Sequence, residues 1–278
     1  MKKIVLLIMT FLIVLGGEAE TVNFGKGRLT VTKVARNAVR IQYAVDNARS
    51  ELPDWIYVKS DEVKSADVKV KVDKRRQVLT VSDRRGRVVF SAHRHQMEGS
   101  VATLAFNSPR NECLYGLGQF QDGYSNVRGL SRRLTQVNTQ IALPMLLSSR
   151  GYGVLWNNYG MTEFNPGDQS VALTRRAGDG QREEVNVTST EGGKKEVRQR
   201  HVFEATVDIR EAGDYSLLLD VGQKMARRHN LCIDGTPVIE MQNLWLPPTA
   251  SAVVRLARGR HRLTAELTND DKIGRAHV

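Results

Sequence analysis

The chain has 278 residues, 41% of them apolar, and only 2 cysteines, so hydrophobic cores of ordinary size, not a disulfide framework, must hold it together. A formal net charge of +11 raises nucleic acid as a partner. The basic residues, however, fall in short scattered pairs and triplets such as Lys74-Arg75-Arg76, Arg132-Arg133 and Lys194-Lys195, with no helix-turn-helix or zinc-finger spacing, which sets nucleic acid aside.

Met1-Lys2-Lys3, the apolar run 4–15 and the small residues before Glu20 have the three parts of a secretory signal peptide, assigned to residues 1–19. The apolar run is too short to span a bilayer, which takes about twenty residues. Export to a bacterial periplasm or beyond is expected, with no membrane span once the signal is removed. Cys113 and Cys232 are far apart in sequence and are expected to be free thiols.

From Thr21 to about Phe106 the chain reads as consecutive strands. Residues 68–73 alternate apolar and charged with period two, and 39–43, 77–81 and 88–91 are β-branched or aromatic runs separated by polar turns such as Ser82-Asp83-Arg84-Arg85-Gly86. No long segment after the signal keeps a 3.6-residue period. The expected class is therefore all-β, with antiparallel sheets stacked as a sandwich.

The stretch 112–159 organises the rest. Gly116, Gly118 and Gly123 offer positive-φ or close-approach positions beside the bulky Tyr115, Phe120 and Tyr124, a mixture that suits a backbone pressed against something. From spacing alone a tight β-bulge followed by ordinary sandwich strands, 141–147 and 152–156, is the favoured reading. Tyr115-Gly116-Leu117-Gly118-Gln119, then Gln136 to Gln140 ahead of Leu143-Pro144-Met145, then Gly151-Tyr152-Gly153-Val154-Leu155-Trp156-Asn157-Asn158 resemble the N-terminal domain of glycoside hydrolase family 31, and within it the bacterial α-xylosidases. Gln119 stands where many members carry Glu and is familiar in the α-xylosidase branch. The resemblance implies a large, galactose mutarotase-like antiparallel β-sandwich over residues 20–166.

After Phe164-Asn165-Pro166 the composition shifts. Residues 167–200, with Gly178-Asp179-Gly180, Gly192-Gly193 and many charges, read as a linker. A second set of strands is expected at 203–207, 213–219, 231–233, 238–239, 251–256 and 261–267, with Asp234-Gly235 as a type I′ hairpin turn. Gly213-Asp214-Tyr215, the run 231–239 and Leu256-Ala257-Arg258-Gly259-Arg260 resemble the protective-antigen-type β-sandwich module, which some α-xylosidases carry inserted in their N-terminal domain. That implies a smaller sandwich over 201–270. The paired aspartates with which some relatives of this module hold calcium are missing: Asp220 is followed by Val221 and Asp234 by Gly235. No metal and no cofactor are expected.

Retaining glycosidases need two carboxyl groups about 5 to 5.5 Å apart. The resemblance puts both, as aspartates, on a (β/α)₈ barrel of roughly 250 residues that follows these domains, and no strand-helix alternation is present to build one. Asp122 and Glu163 read as surface or turn acids. The end of the chain, Ile273-Gly274-Arg275-Ala276-His277-Val278, matches one reading frame of a sequencing adapter, so residues 271–278 are expected to be an artefact and the chain a fragment that is inactive alone. The polar turn 136–140 matches a family loop that shapes the sugar subsites. Asn138 first and Gln136 second are the candidate substrate-binding residues, and an oligosaccharide of xyloglucan type is the expected partner. Local backbone satisfaction is the competing use for these amides, and Tyr152 and Trp156 are either sugar-stacking or core aromatics. A stand-alone secreted carbohydrate-binding or adhesive protein of two sandwiches is the alternative.

Overall fold

The structure, a computed structural model, describes residues 12–15, 19–45, 67–158, 160–177, 180–189, 192–222, 229–241, 247–268 and 275–278. Among them every regular element is a strand. Two compact units divide the chain, Met1–Glu112 with Ser149–Tyr152, and Cys113–Ser148 with Gly153–Val278.

The first unit is built from β1 (Leu12–Leu15), β2 (Ala19–Phe24), β3 (Gly27–Ala35), β4 (Ala38–Ala44), β5 (Lys69–Asp73), β6 (Val78–Ser82), β7 (Val88–Glu98) and β8 (Val101–Phe106). One antiparallel sheet runs β2-β3-β4 and the other β1-β5-β6-β7-β8. Alternation decides which faces meet. Val70 opposite Val81 and Val72 opposite Leu79 point inward with Phe90 and Ala92, while the flanking Lys69 stays exposed and the intervening Lys71 is half-buried. Val22, Phe24, Leu29 and Val31 are the buried residues of the smaller sheet. Its inner face meets the larger one at His95 of β7, whose ring takes the edge of Phe24 at 5.0 Å and lies 6.3 Å from Tyr43, as in a two-sheet sandwich. Aspartates close the turns. Asp73 accepts from the backbone of Arg75 and Arg76, and Asp83 from that of Arg85 and Arg87, because a short carboxylate satisfies amides that a turn leaves unpaired. Leu12–Leu15, inside the segment read as a signal peptide, forms the edge strand β1 opposite β5; residues 1–11 and 16–18 lie outside the described residues.

The second unit holds β9 (Leu114–Gln119), β10 (Arg132–Leu134), β11 (Ile141–Ser148), most of β12 (Tyr152–Leu155), β13 (Thr162–Phe164), β14 (Ser170–Ala172), β15 (Thr174–Arg175), β16 (Gln181–Ser189), β17 (Gly192–Ile209), β18 (Gly213–Asp220), β19 (His229–Ile233), β20 (Thr236–Met241), β21 (Thr249–Leu256), β22 (Gly259–Thr268) and β23 (Arg275–His277). Two of its sheets make a sandwich: β14-β23-β18-β21 against β15-β17-β22-β19-β20, with β16 added to β17. Leu217 and Leu219 of one sheet and Phe203, Leu231, Leu263 and Leu267 of the other belong to a single buried cluster. Asp234 and Gly235 have φ of 49° and 83°, as a type I′ turn between β19 and β20 requires.

Residues 167–200 are not a bare linker. They carry β14, β15, β16 and the first half of β17, and β16 with residues 192–200 forms a nine-pair ribbon before β17 continues beside β22. The charges that suggested a linker are those of this ribbon, where Lys194, Lys195 and Val197 are all exposed; a two-stranded ribbon wetted on both sides needs no apolar alternation. At the end of the chain Arg275–His277 lies between β14 and β18, with Ala276 buried in the cluster.

Two histidines give the units opposite responses to pH. Burial, helped by the nearby His93, lowers the pKa of His95 to about 4, so the unfolded chain binds the proton first and stability is lost as pH falls from 6.5 towards 4. His261 faces the Ala257 carbonyl through Nε2 at 2.9 Å and the Asp234 carboxylate through Nδ1 at 2.6 Å. Both contacts raise its pKa, Ala257 first, so its contribution is complete below 6.5 and is lost as pH rises through the folded value. Calorimetric scans from pH 4 to 8 should show one transition weakening at the acid end and the other at the alkaline end; His95→Phe removes the first trend and His261→Gln the second.

Candidate functional site

Strand β9 carries three consecutive positive-φ residues, Gly116 at 108°, Leu117 at 65° and Gly118 at 104°. What the backbone presses against is its own neighbour. A Cβ on Gly116 would lie 2.3 Å from the Met145 carbonyl oxygen and one on Gly118 2.0 Å from that of Ile141. Pairing with β11 slips between Ala142 and Leu146. The glycines therefore serve a bulged strand pair and not a ligand.

Beyond β9 the chain folds into a polar loop whose anchors are internal. Asn126 accepts from the backbone of Leu114 and Arg128, and Val127 and Leu130 are buried. Arg132, 2% exposed, donates through Nη2 to both carboxylate oxygens of Asp122 at 2.7 Å, and its guanidinium lies 4.1 Å from the centre of the Phe120 ring. Strand β10 then pairs with β13. On the other face of β10, Arg133 spans two acids, Glu163 at 2.8 Å and Asp220 of β18 at 2.5 Å. Burial works against the charged guanidinium, yet the hydrogen bonds with Asp220 and Glu163 outweigh it and raise its pKa above the ordinary value.

Next comes the expected sugar turn. Val137 and Gln140 exchange two backbone hydrogen bonds of 3.2 Å, which leaves Asn138 and Thr139 as a two-residue tip. Gln140 is buried and donates to the Thr135 carbonyl at 2.8 Å. The Gln136 side chain accepts from the Ala142 amide at 3.1 Å. Both candidates are exposed, but only Asn138 stands at the tip, and among the described residues its side chain has no recorded hydrogen bond. Tyr152 is half-buried, donates to Glu112 at 2.6 Å and meets the Phe90 ring edge-on at 5.8 Å, so it belongs to the packing of the first unit. Trp156 is half-buried just after β12, its amide bonded to the Pro144 carbonyl.

Asp122 and Glu163, read from sequence as surface or turn acids, are the partners of Arg132 and Arg133. Sequence spacing assigns no role to Arg133, which sits in a basic pair, or to Asp220, which lacks the paired aspartate of a calcium site. Two adjacent arginines on a strand point to opposite faces, so such a pair cannot lie wholly on one solvated face. Cys113 and Cys232 are free thiols. Among the described residues no group of three or more His, Cys, Asp or Glu is arranged to hold a metal ion.

No family model matches the chain. It is 45% identical over 56 residues to an uncharacterized family 31 glucosidase of Pseudescherichia vulneris, covering 20% of this chain and 11% of that protein. It is also 27% identical over 167 residues to an α-xylosidase of Saccharolobus solfataricus, covering 49% and 23%. The chain is related to glycoside hydrolase family 31. Its fold is shared with a family 31 α-xylosidase of Xanthomonas citri, at a TM-score of 0.62 and 21% identity over 94% of this chain and 35% of that one. It thus spans about a quarter or less of the curated relatives it matches and about a third of the solved enzyme.

The Arg132–Asp122 pair sets a measurable asymmetry. Removing one member leaves the other charge buried, whereas replacing both with apolar groups does not. Asp122→Ala should lower the unfolding free energy of the second unit by about 3 kcal/mol, and Asp122→Leu with Arg132→Met by well under half of that, read from urea midpoints.

Proposed function

We propose that this chain supplies the β-sandwich front end of an exported, α-xylosidase-like retaining hydrolase that removes α-linked xylose from xyloglucan-type oligosaccharides. The similarity to the Saccharolobus solfataricus α-xylosidase over 167 residues carries this reading. In it, residues 1–19 direct export, 20–166 form the N-terminal sandwich domain and 201–270 an inserted module. The nucleophile and the acid belong to a barrel outside this chain, in keeping with the capture of Asp122 and Glu163 by arginines. Asn138 at the exposed tip of its turn is the group offered to a sugar hydroxyl; Gln136, whose oxygen holds the Ala142 amide, sets the shape of that turn.

Purified chain is expected to release no aryl alcohol from an aryl α-xyloside, and turnover would show that the catalytic groups had been misplaced. Titration calorimetry with xyloglucan heptasaccharide should detect binding that Asn138→Ala weakens about fivefold, the loss of one ordinary hydrogen bond of ~1 kcal/mol. Equal binding by Asn138→Ala and the parent chain would remove Asn138 from the reading.

A further inference from the structure

The four-stranded sheet of the second sandwich is covered around Leu218 on the face turned away from the sandwich core as well as on the core face. Leu217 and Leu219 point into the sandwich core. Leu218, between them, points the other way, beside Ser216 and Asp220, and is nevertheless only 5% exposed. Its cover is the segment that leads into the 136–140 turn. The Ser131 amide donates to the Ser216 hydroxyl at 2.7 Å, and the Ser251 hydroxyl, across from Leu218 on β21, donates to the Ser131 carbonyl at 2.5 Å. Tyr124 accepts from the Val253 amide on the free edge of β21 at 2.9 Å. Arg133 completes the seam by holding Asp220 with one arm and Glu163 of β13 with the other. A cavity of about 10 Å³ lies along this seam, lined in part by Phe120, Arg133, Gln140 and Ser251; it holds no more than one water, so the two layers are in close contact.

We propose that the second sandwich acts as a splint for the 136–140 turn, with Arg133 as the positioning residue that transmits its rigidity. Arg133 is three residues from Gln136, on the strand that delivers the turn. Neither of its partners is local: Glu163 is 30 residues away and Asp220 is 87. The bonds recorded within the turn are local, among them the Val137–Gln140 pair, the contacts of Gln140 with Thr135 and that of Gln136 with Ala142. A short hairpin of this kind is weakly stable by itself, so its order depends on where β10 is held. The sandwich is then no independently swinging sugar-binding appendage but part of the frame of the loop. The inference deepens the proposed function, since it concerns the turn that presents Asn138, but it stands on contacts that need no sugar.

Amide hydrogen exchange in the intact chain tests it. Arg133→Met and Asp220→Asn should each speed exchange at the Val137, Gln140 and Ala142 amides about tenfold while leaving Leu231 and Leu263 in the sandwich core protected. The double variant should add little to either single one, because both cut the same link. Arg133→Lys, which keeps a positive charge for one partner, should restore part of the protection. Unchanged turn exchange with a protected core would overturn the proposal. If both variants unfold the sandwich, Ser251→Ala decides instead: faster turn exchange upholds the splint and unchanged exchange refutes it. Intact coupling together with absent heptasaccharide binding would discard the sugar reading and leave the splint standing.

Discussion

Strand β18 has to be covered on both faces, because its run Leu217-Leu218-Leu219 sets buried apolar side chains on each: Leu217 and Leu219 on one, and Leu218, between Ser216 and Asp220, on the other. Each buried leucine is worth about 2 kcal/mol relative to exposure, so a layer on the second face is strongly favoured. The segment between β9 and β10 provides it at Ser131, whose backbone bonds Ser216 and Ser251. This is why residues 113–148 fall in one compact unit with the sandwich that follows them far along the chain.

Covering that face brings charge into a dry layer. Arg132 and Arg133 enter it together and, as neighbours on a strand, leave in opposite directions. Arg132 is matched by a carboxylate and an aromatic face, and Arg133 by two carboxylates. Desolvation makes such charges costly when single and tolerable when paired. The acids of this region are consequently structural counter-ions. That is the physical content behind reading the chain as a frame for catalysis carried out by other groups.

The same economy shapes the loop that faces outward. Gln136 and Gln140 are drawn into local hydrogen bonds, because a two-residue turn leaves amides and carbonyls with no other partner. Asn138 at the tip escapes that demand. In the first unit the smaller sheet closes over the larger one with an aromatic-histidine contact in place of an aliphatic one, which ties its stability to the protonation state of His95.

Local chemistry in the sequence determined the class of fold and the strands with marked alternation or β-branched runs. Period-two alternation at 69–73, β-branched runs at 78–82 and 249–256, and Asp234-Gly235 at a type I′ turn are short-range properties that each segment carries by itself. The family relation was likewise legible, since its motifs are contiguous stretches around Gly116 and Gly153. Tertiary structure alone decided that residues 167–200 form strands, that the glycines of β9 yield to β11 and not to a ligand, and that Arg133 reaches Asp220. The reason is common to all three. A solvated ribbon, a close backbone approach and a long-range ion pair are each defined by a partner remote in the chain, and no periodicity or spacing within a segment records which partner that will be.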